Sequence, residues 1–321
     1  MTTLARPPKG YLNGVAALVG LAVVLFYAGT SAAEISAGGI LVIDADRQFA
    51  FAESLFDQRK FSQAATEYDR FIHFFPGDER TPLASFKIGQ AYFKEGRWQP
   101  AIRELVAFAE RFKESRLAVR ARFTASRCYL ELGDSRTAVA MLTRLAAETK
   151  DPEVADQAWY TIGWIHMDAL DWKKARLAFD HISPPHRGTY NLPEIYAGLQ
   201  AARELKSKNP RVAGVMALAP GAGFAYCQRY RDALIALVAN GLVIWAAVDS
   251  FDNGNDGLGV LLSVLGAGFY GGSIYGSIAC AHKYNRRQAH GLVERLKQDF
   301  KISLAPTVSQ RGGFMMLTFR F

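Results

Sequence analysis

The residue types that most often perform chemistry are not grouped in this sequence. Its six histidines are scattered, and the closest pair, His181 and His186, flanks Pro184 and Pro185. Two histidines without further ligands do not match the ligand spacing of known zinc sites. The chain also lacks the HExxH zinc motif, the GxSxG nucleophile elbow and the glycine-rich phosphate loop. We therefore predict no catalytic site, no metal site and no cofactor; the alternative is an enzyme with an unrecognised site.

Four aromatic residues recur at a fixed interval, and each starts the same short pattern. A polar or aromatic residue follows after four positions, and a large apolar residue follows after seven. Residues at i, i+4 and i+7 share one face of an α-helix, so each set forms a stripe. The stripes are Phe49, Glu53 and Phe56; Phe86, Gln90 and Phe93; Phe123, Arg127 and Leu130; and Tyr160, Trp164 and Met167.

The elements that must position these stripes are repeated helix pairs. Four alanines are separated by the same interval of 37 residues: Ala64, Ala101, Ala138 and Ala175. A period of about 20–50 residues indicates stacked supersecondary units. Small residues precede each alanine and large apolar residues follow at helical spacing, which predicts two short, closely packed helices per unit. Gly96 and Gly133 fall where a turn must join the two helices.

These units resemble the tetratricopeptide repeat (TPR) over residues 45–182. The signature is fullest in the fourth unit, at Trp159, Ile162, Gly163, Trp172, Ala175 and Phe179, and in the second, at Ile88, Gly89, Tyr92, Ala101 and Leu105. The third unit departs from it, with Ser126 and Ser135 at two signature positions. The usual period is about 34, and the longer interval resembles that of periplasmic TPR proteins of envelope assembly and cell division.

The resemblance implies an all-α, right-handed solenoid whose first helices line a concave groove for extended or helical peptides. The twelve stripe residues named above are then the candidate partner-binding groove. The alternative is that the aromatics pack against the second helix of a neighbouring repeat. The middle row of the stripes, Glu53, Gln90, Arg127 and Trp164, lacks the asparagine and lysine pattern of TPR domains that hold a terminal carboxylate. We do not expect that mode here.

Residues 1–33 resemble a secretory signal peptide. Arg6 and Lys9 precede the apolar run 15–27, which is followed by the small residues of 31–33. The alternative is an uncleaved anchor helix, and either one places the repeats outside the cytoplasm. No cysteine precedes Cys128, so the lipid-attachment cysteine of a bacterial lipoprotein is missing.

The basic composition and the cysteines set two further limits. The formal net charge is +8, but the cations cluster beside apolar segments, which favours lipid headgroups as partners and argues against nucleic acid. They are Arg203, Lys206, Lys208 and Arg211 before these segments, and Lys283, Arg286, Arg287, Arg295 and Lys297 after them. Three cysteines without a CxxC spacing do not indicate a disulfide framework or a zinc site. Cys128 is expected in the core, and a bridge between Cys227 and Cys280 stays open.

Residues 211–285 are predicted to form a membrane module. The apolar runs 233–248 and 258–281 each approach the about 20 residues that span a bilayer, and the polar turn 250–257 joins them into a helical hairpin. Asn240 is expected to form a hydrogen bond between the two helices. Segment 212–226 is a re-entrant segment or a short span. Its Pro220, Gly221, Gly223 and Tyr226, followed by an apolar helix, resemble small TM2-like membrane domains. The alternative is a buried helix pair in a soluble domain.

The charges around the hairpin predict its orientation in the membrane. Cations flank the hairpin on both sides and its turn is acidic, so the positive-inside rule places both flanks in the cytoplasm. One extra crossing, by 212–226, reconciles that rule with exported repeats and favours the inner membrane over the outer. Residues 286–301 are predicted as a basic amphipathic helix, and 302–321 as a β-hairpin. The last residues also resemble the final strand of outer-membrane barrels; the alternative is a hairpin packed on the protein or a neighbouring copy.

Our main hypothesis is an exported, membrane-anchored TPR scaffold with a capping helix in 192–210. It would bind a peptide or protein partner during assembly or maintenance of the cell envelope, and it would contact the lipid bilayer. A rival hypothesis is a membrane-active component, in which the glycine-rich hairpin inserts or forms a homo-oligomer and the repeats recruit partners. In neither case do we expect an enzyme, a cofactor or a nucleic-acid partner.

Overall fold

The structure is a computed structural model that describes residues 43–299. Within this range it is all-α, with one short 3₁₀ turn at Pro184–His186 and no strand. The helices are α1 (Ala45–Asp57), α2 (Phe61–Phe74), α3 (Thr81–Lys94), α4 (Trp98–Arg111), α5 (Arg116–Glu131), α6 (Ser135–Glu148), α7 (Pro152–Asp168), α8 (Trp172–Asp180), α9 (Leu192–Arg203), α10 (Pro210–Met216), α11 (Ala222–Tyr226), α12 (Tyr230–Asp252) and α13 (Asp256–Asp299).

The predicted signal segment, residues 1–33, and the predicted tail hairpin, 302–321, lie outside the described residues. Contacts divide the chain into a unit of residues 1–48 and a unit of residues 49–321. The packing described below belongs to the second unit. In it, helices α1 to α8 form four successive pairs, and the odd-numbered helix of each pair is called its first helix.

Small residues set the distance between the two helices of each pair. The four marker alanines, Ala64, Ala101, Ala138 and Ala175, are fully buried on the second helices. Opposite them, a Cβ added to Gly89 would lie 2.7 Å from Leu105 Cδ2, and one added to Gly163 would lie 2.3 Å from Phe179 Cε1. Because real Cβ atoms essentially never come this close, a larger residue at either glycine would have to displace the facing side chain. The predicted small-residue contact between the paired helices is confirmed.

Left-handed residues and aspartate caps define where the helices of a pair meet. The four turns contain Arg59, Gly96, Gly133 and Leu170, and all four residues have φ between 58° and 78°. They are 37 residues apart, like the alanines. Asp134 and Asp171 are the N-cap residues of the helices that follow two of these turns, α6 and α8. Their carboxylates accept hydrogen bonds from the N–H groups of Thr137 and Lys174.

The open end of the fourth pair is covered by two elements from later in the chain. Helix α9 contributes Leu192, Ile195 and Leu199 to the cluster around Tyr160 and Trp164. The last turns of α13 contribute Val293 and Leu296 to the same cluster. Since a repeat array must cover its terminal apolar face, α9 and the end of α13 together form the cap.

Helices α10 and α11 pack against the middle of α13 through the Pro-Gly-Ala-Gly run. A Cβ on Gly223 would lie 2.5 Å from both Ala213 O and Ser277 Oγ. Gly221 has φ 83°, and a Cβ there would lie 2.3 Å from Ala233 O. At about 1.5 Å per residue, seven and five helical residues reach about 10 Å and 8 Å, well short of a bilayer of about 30 Å. These lengths favour the re-entrant alternative for 212–226 over the short span, and its relation to the membrane stays a prediction.

Helices α12 and α13 form the predicted hairpin. Gly259 lies against Phe251, and Gly266 lies against Val243 Cγ1, so glycines bring the two helices together. The helix that follows the turn does not stop near residue 281. It continues as one α-helix of 44 residues to Asp299, and the predicted basic helix 286–301 is its last part as far as the structure describes it.

Candidate functional site

The structure divides the twelve groove residues into a buried and a partly exposed set. Phe86, Phe123, Tyr160, Trp164 and Met167 are buried, whereas Phe49, Glu53, Phe56, Gln90, Phe93, Arg127 and Leu130 are half-buried. The first aromatic of a stripe packs on the second helix of its own repeat. The ring centroids of Phe86 and Phe108 are 5.6 Å apart, and those of Tyr160 and Phe179 are 5.9 Å apart. A partner can therefore reach the middle and third rows of the first three repeats.

Cations from the next repeat lie over the aromatic rings of this face. Arg80 lies 5.2 Å from the ring of Phe49, and Lys87 lies 4.6 Å from the ring of Phe56. Arg120 and Arg127 repeat the arrangement one unit later, at 5.3 Å from Phe86 and 5.4 Å from Phe93. Within the described residues, this face is therefore both aromatic and basic. Of these four cations, only Arg127 was among the predicted residues.

The first two cations have acidic partners. Lys87 Nζ lies 2.8 Å from Glu53 Oε2, and the hydroxyl of Tyr68 donates to the other oxygen of the same carboxylate. Burial, followed by that hydrogen bond to Glu53, raises the pKa of Tyr68. Arg80 binds the carboxylate of Asp78 through two nitrogens, at 2.8 Å and 2.7 Å. This pairing holds the pKa of Asp78 at about 2.

The second two cations do not have such partners among residues 43–299. The structure shows no ion pair to Arg120 or Arg127 there, and Arg127 Nη1 is buried without a hydrogen-bond partner. Burial lowers the pKa of both guanidinium groups, and for Arg127 the nearby charge of Glu131 partly opposes that effect. Arg122, on the same helix, differs because it lies 2.7 Å from Glu148 Oε2.

The two histidines of the proline loop serve different contacts. The ring of His181 stacks on Trp159 at 4.0 Å. His186 Nδ1 lies 2.6 Å from Asp156 Oδ2, and Ser183 donates both its backbone N–H and its hydroxyl to the same buried carboxylate. Ser183 Oγ also lies 3.4 Å from His186 Nδ1, so the serine, the histidine and Asp156 form one small hydrogen-bonded cluster. The described residues contain no cluster of three or more potential metal ligands.

The hairpin exposes most of its apolar surface. Both α12 and α13 are long and apolar enough to cross a membrane, and only 22% and 6% of their most apolar stretches are buried. Trp245 and Tyr275, for example, are 66% and 75% exposed. The alternative of a buried helix pair does not fit these values.

Asn240 is the residue of the module with a buried side-chain atom that lacks a hydrogen-bond partner among residues 43–299. Asn240 Nδ2 donates to Ser273 Oγ at 3.0 Å, which is the expected hydrogen bond between the helices, and to Ala236 O at 2.7 Å. Its Oδ1 is buried without a partner in the described part of the chain. Tyr226 accepts a hydrogen bond from the N–H of Asn209 at 3.2 Å. Pro220 lies in the turn between α10 and α11.

The three cysteines are buried free thiols. Cys128 lies in the core of the second and third repeats, as expected. Cys227 and Cys280 lie in one small cluster with Ala213 and Ala281, where α11 meets α13. The bridge that the sequence left open between them is not formed.

Comparisons with known proteins identify the repeats. A family model described as tetratricopeptide repeat matches residues 49–113 and residues 86–138. The two matches begin 37 residues apart, which is the interval found in the sequence. Among solved structures, the chain is similar to a TPR repeats protein from Bacteroides fragilis at 10% identity, covering 80% of this chain and 100% of that chain with a TM-score of 0.34. No curated protein matches the chain.

Proposed function

We propose that this chain is a scaffold whose tetratricopeptide repeats bind peptide or protein partners at a membrane of the cell envelope. TPR proteins are generally without catalytic activity, which agrees with the lack of a catalytic motif. One observation carries the proposal: a single helix, α13, forms half of the apolar hairpin and also packs on the last repeat. The scaffold and its candidate anchor are thus one packed unit.

The length of α13 explains how one helix can form half of the apolar hairpin and also pack on the last repeat. Its 44 residues extend about 66 Å at 1.5 Å per residue, whereas about 20 residues cross a bilayer. The apolar residues 258–281 would lie in the membrane, and the rest must emerge from it. The emerging part is held by Lys297 Nζ, 2.5 Å from Asp168 Oδ1, and by Leu296, which fills the space beside Gly198.

The same packing supports a revised topology. Residues 208–226 lie beside α13 at residues 277–285: Asn285 exchanges two hydrogen bonds with the backbone of Lys208, at 2.7 Å and 2.9 Å. Both ends of the hairpin therefore lie on the side of the repeats, and the acidic turn with Asp249, Asp252 and Asp256 lies on the other side. The extra crossing by 212–226 is not needed.

We propose that this shared side is extracytoplasmic. The first apolar segment of a chain usually dominates its orientation, and the cations Arg6 and Lys9 precede that segment here. The basic flanks of the hairpin favour the opposite orientation, because the positive-inside rule would place them in the cytoplasm. In the proposed arrangement they face the headgroups of the outward leaflet. The inner membrane is retained as the proposed site.

Site-specific photo-crosslinking in intact cells tests the scaffold function. A photoreactive residue at Gln90, in the half-buried middle row, should capture a partner protein in the membrane fraction. The same residue at Leu177, which is 53% exposed on the second helix α8, is the matched control. Capture from both positions alike, or from neither, would contradict a groove-binding scaffold. Resistance of the full-length protein to carbonate extraction tests the anchor separately.

One observation favours the membrane-active alternative as a second candidate. Gly268 and Gly272, four residues apart on α13, have open space where a Cβ would be placed. In transmembrane helices, glycines at this spacing allow close packing with another helix. If the hairpin pairs with a second copy, Gly268→Leu with Gly272→Leu should abolish crosslinked dimers in membranes. Dimers that survive both substitutions would count against this candidate.

A further inference from the structure

Two arginines of the third repeat are held on the groove side of α5 in an unusual state. Arg120 and Arg127 are seven residues apart, which corresponds to a rise of about 10.5 Å along the helix. Each guanidinium lies over an aromatic ring of α3, at 5.3 Å from Phe86 and 5.4 Å from Phe93. Each ring covers one face of the guanidinium, which leaves the N–H donors in the plane of the group for other partners.

The other two cations of this face, and Arg122 elsewhere on α5, differ because they already have a carboxylate. Lys87 has Glu53, Arg80 has Asp78 and Arg122 has Glu148. Between residues 43 and 299 no acidic side chain forms an ion pair with Arg120 or Arg127, although the nearby charge of Glu131 partly opposes the effect of burial on the pKa of Arg127.

The two charges are also partly removed from water. Both residues are half-buried, and Arg127 Nη1 is buried without a hydrogen-bond partner in the described chain. A desolvated charge without a counter-charge is unfavourable, and an external carboxylate would relieve it. Apolar and neutral side chains lie beside them, with Phe93, Leu130 and Gln90 half-buried on the same face. Such surroundings suit the side chains and backbone of a peptide.

We propose that Arg120 and Arg127 are the recognition pair for an acidic peptide segment of the partner protein. The proposal rests on the proposed function, because it specifies the chemistry of the partner that the groove binds. Arginine matches the planar carboxylate with two parallel hydrogen bonds. In an extended peptide of the polyproline II type, residues i and i+3 share a face and lie about 9 Å apart. A Glu-x-x-Glu spacing therefore suits the two arginines.

Fluorescence anisotropy of the full-length protein in zwitterionic detergent tests this pair. The probe is a labelled peptide that contains Glu-Pro-Pro-Glu, and the control peptide has Gln-Pro-Pro-Gln. We expect only the acidic peptide to bind. Arg120→Gln and Arg127→Gln should each raise its Kd about tenfold, the loss of one charge-assisted contact. Arg103→Gln, at an exposed position of α4, makes the same charge change away from the groove and should leave Kd unaltered.

Several outcomes would overturn the recognition pair. They are equal binding of both peptides, no binding of either, or an equal effect of Arg103→Gln, which would indicate an unspecific charge effect. Tighter binding of a thymidine oligonucleotide of equal charge would assign the arginines to nucleic acid instead. None of these results affects capture at Gln90, so the scaffold function can survive the failure of the acidic-peptide proposal.

Thermal unfolding separates recognition from a structural role. If the arginines serve a ligand, Arg127→Gln removes an unpaired charge, and the melting temperature should stay constant or rise while binding is lost. If they serve the fold, the melting temperature should fall together with binding. A fall of both in Arg120→Gln and Arg127→Gln would reject the proposal.

Discussion

At the scale of single residues, the repeat is defined by backbone conformation as much as by side chains. Arg59, Gly96, Gly133 and Leu170 occupy the same left-handed turn position. Glycine adopts this conformation without steric cost, whereas other residues lose about 1–2 kcal/mol in it. The second and third repeats therefore have unstrained turns, and the first and fourth have strained ones.

This difference predicts opposite effects of two substitutions on stability. Gly133→Ala should lower stability by about 1 kcal/mol through backbone strain alone, because a Cβ at Gly133 meets nothing within 4 Å. Arg59→Gly should raise stability by up to about 1 kcal/mol, the relief of strain less the entropy cost of glycine. Thermal melting of the full-length protein in detergent measures both. Arg59→Ala, which keeps the strain, is the control and should melt like the parent.

Only some of the turn and groove residues could be predicted from the 37-residue period. The period located the stripes and identified Gly96 and Gly133 as turns, because both signals repeat along the chain. It did not reveal Arg59 or Leu170 as turns, since neither residue type is typical of a left-handed conformation. Nor did it reveal Arg120 as a partner of Phe86, because a contact between helices of different repeats leaves no fixed interval.

At the scale of elements, α13 determines how the repeats relate to the hairpin. A change from apolar to basic residues near position 282 suggested a boundary, yet no helix breaker is present there and the helix continues. Apolar residues at 292, 293 and 296 keep the helical spacing and form the contact with the last repeat. The composition changes from apolar to basic near residue 282, but the secondary structure does not change there. The sequence alone did not show that the helix continues.

Filling the contact beneath Leu296 should detach this end of α13. A Cβ on Gly198 would lie 2.7 Å from Leu296 Cδ1, so Gly198→Val must displace it. We expect faster tryptic cleavage at Lys283, Arg286 and Arg287, measured by mass spectrometry of the full-length protein. Gly188→Val is the control, because Gly188 has nothing within 4 Å of its added Cβ. Equal cleavage rates in both variants would show that the contact does not hold the helix.

The position of the hairpin flanks predicts a simple labelling pattern. In the proposed topology Ser207, before α10, lies on the side of the repeats, and Asn253, in the acidic turn at the other end of the hairpin, lies on the opposite side. With the three native cysteines buried, a membrane-impermeant maleimide should label Ser207→Cys in intact cells stripped of their outer membrane. Asn253→Cys should be labelled only after permeabilisation. The reverse pattern would place the repeats in the cytoplasm, and labelling of both would remove the hairpin from the membrane.

At the scale of the whole molecule, the groove and the candidate anchor are connected rather than merely adjacent. The apolar hairpin supplies a surface that fits a bilayer, and the long helix transmits its position to the fourth repeat. In a scaffold, the chemical identity of the spans should matter less than this connection. In a membrane-active protein, the spans themselves should be indispensable. The two hypotheses therefore make opposite predictions for a replacement of the hairpin.

Replacing residues 230–272 with an unrelated transmembrane hairpin of equal length should preserve partner capture from Gln90. The replacement leaves intact the contacts of residues 277–285 with α10 and α11 and those of Val293 and Leu296 with the last repeat. Inserting six glycine and serine residues after His282 should instead reduce capture at the membrane, because the repeats lose their fixed position. The yield of photo-crosslinked partner measures both. Loss of capture in the replacement, with retention in the insertion, would favour the membrane-active hairpin.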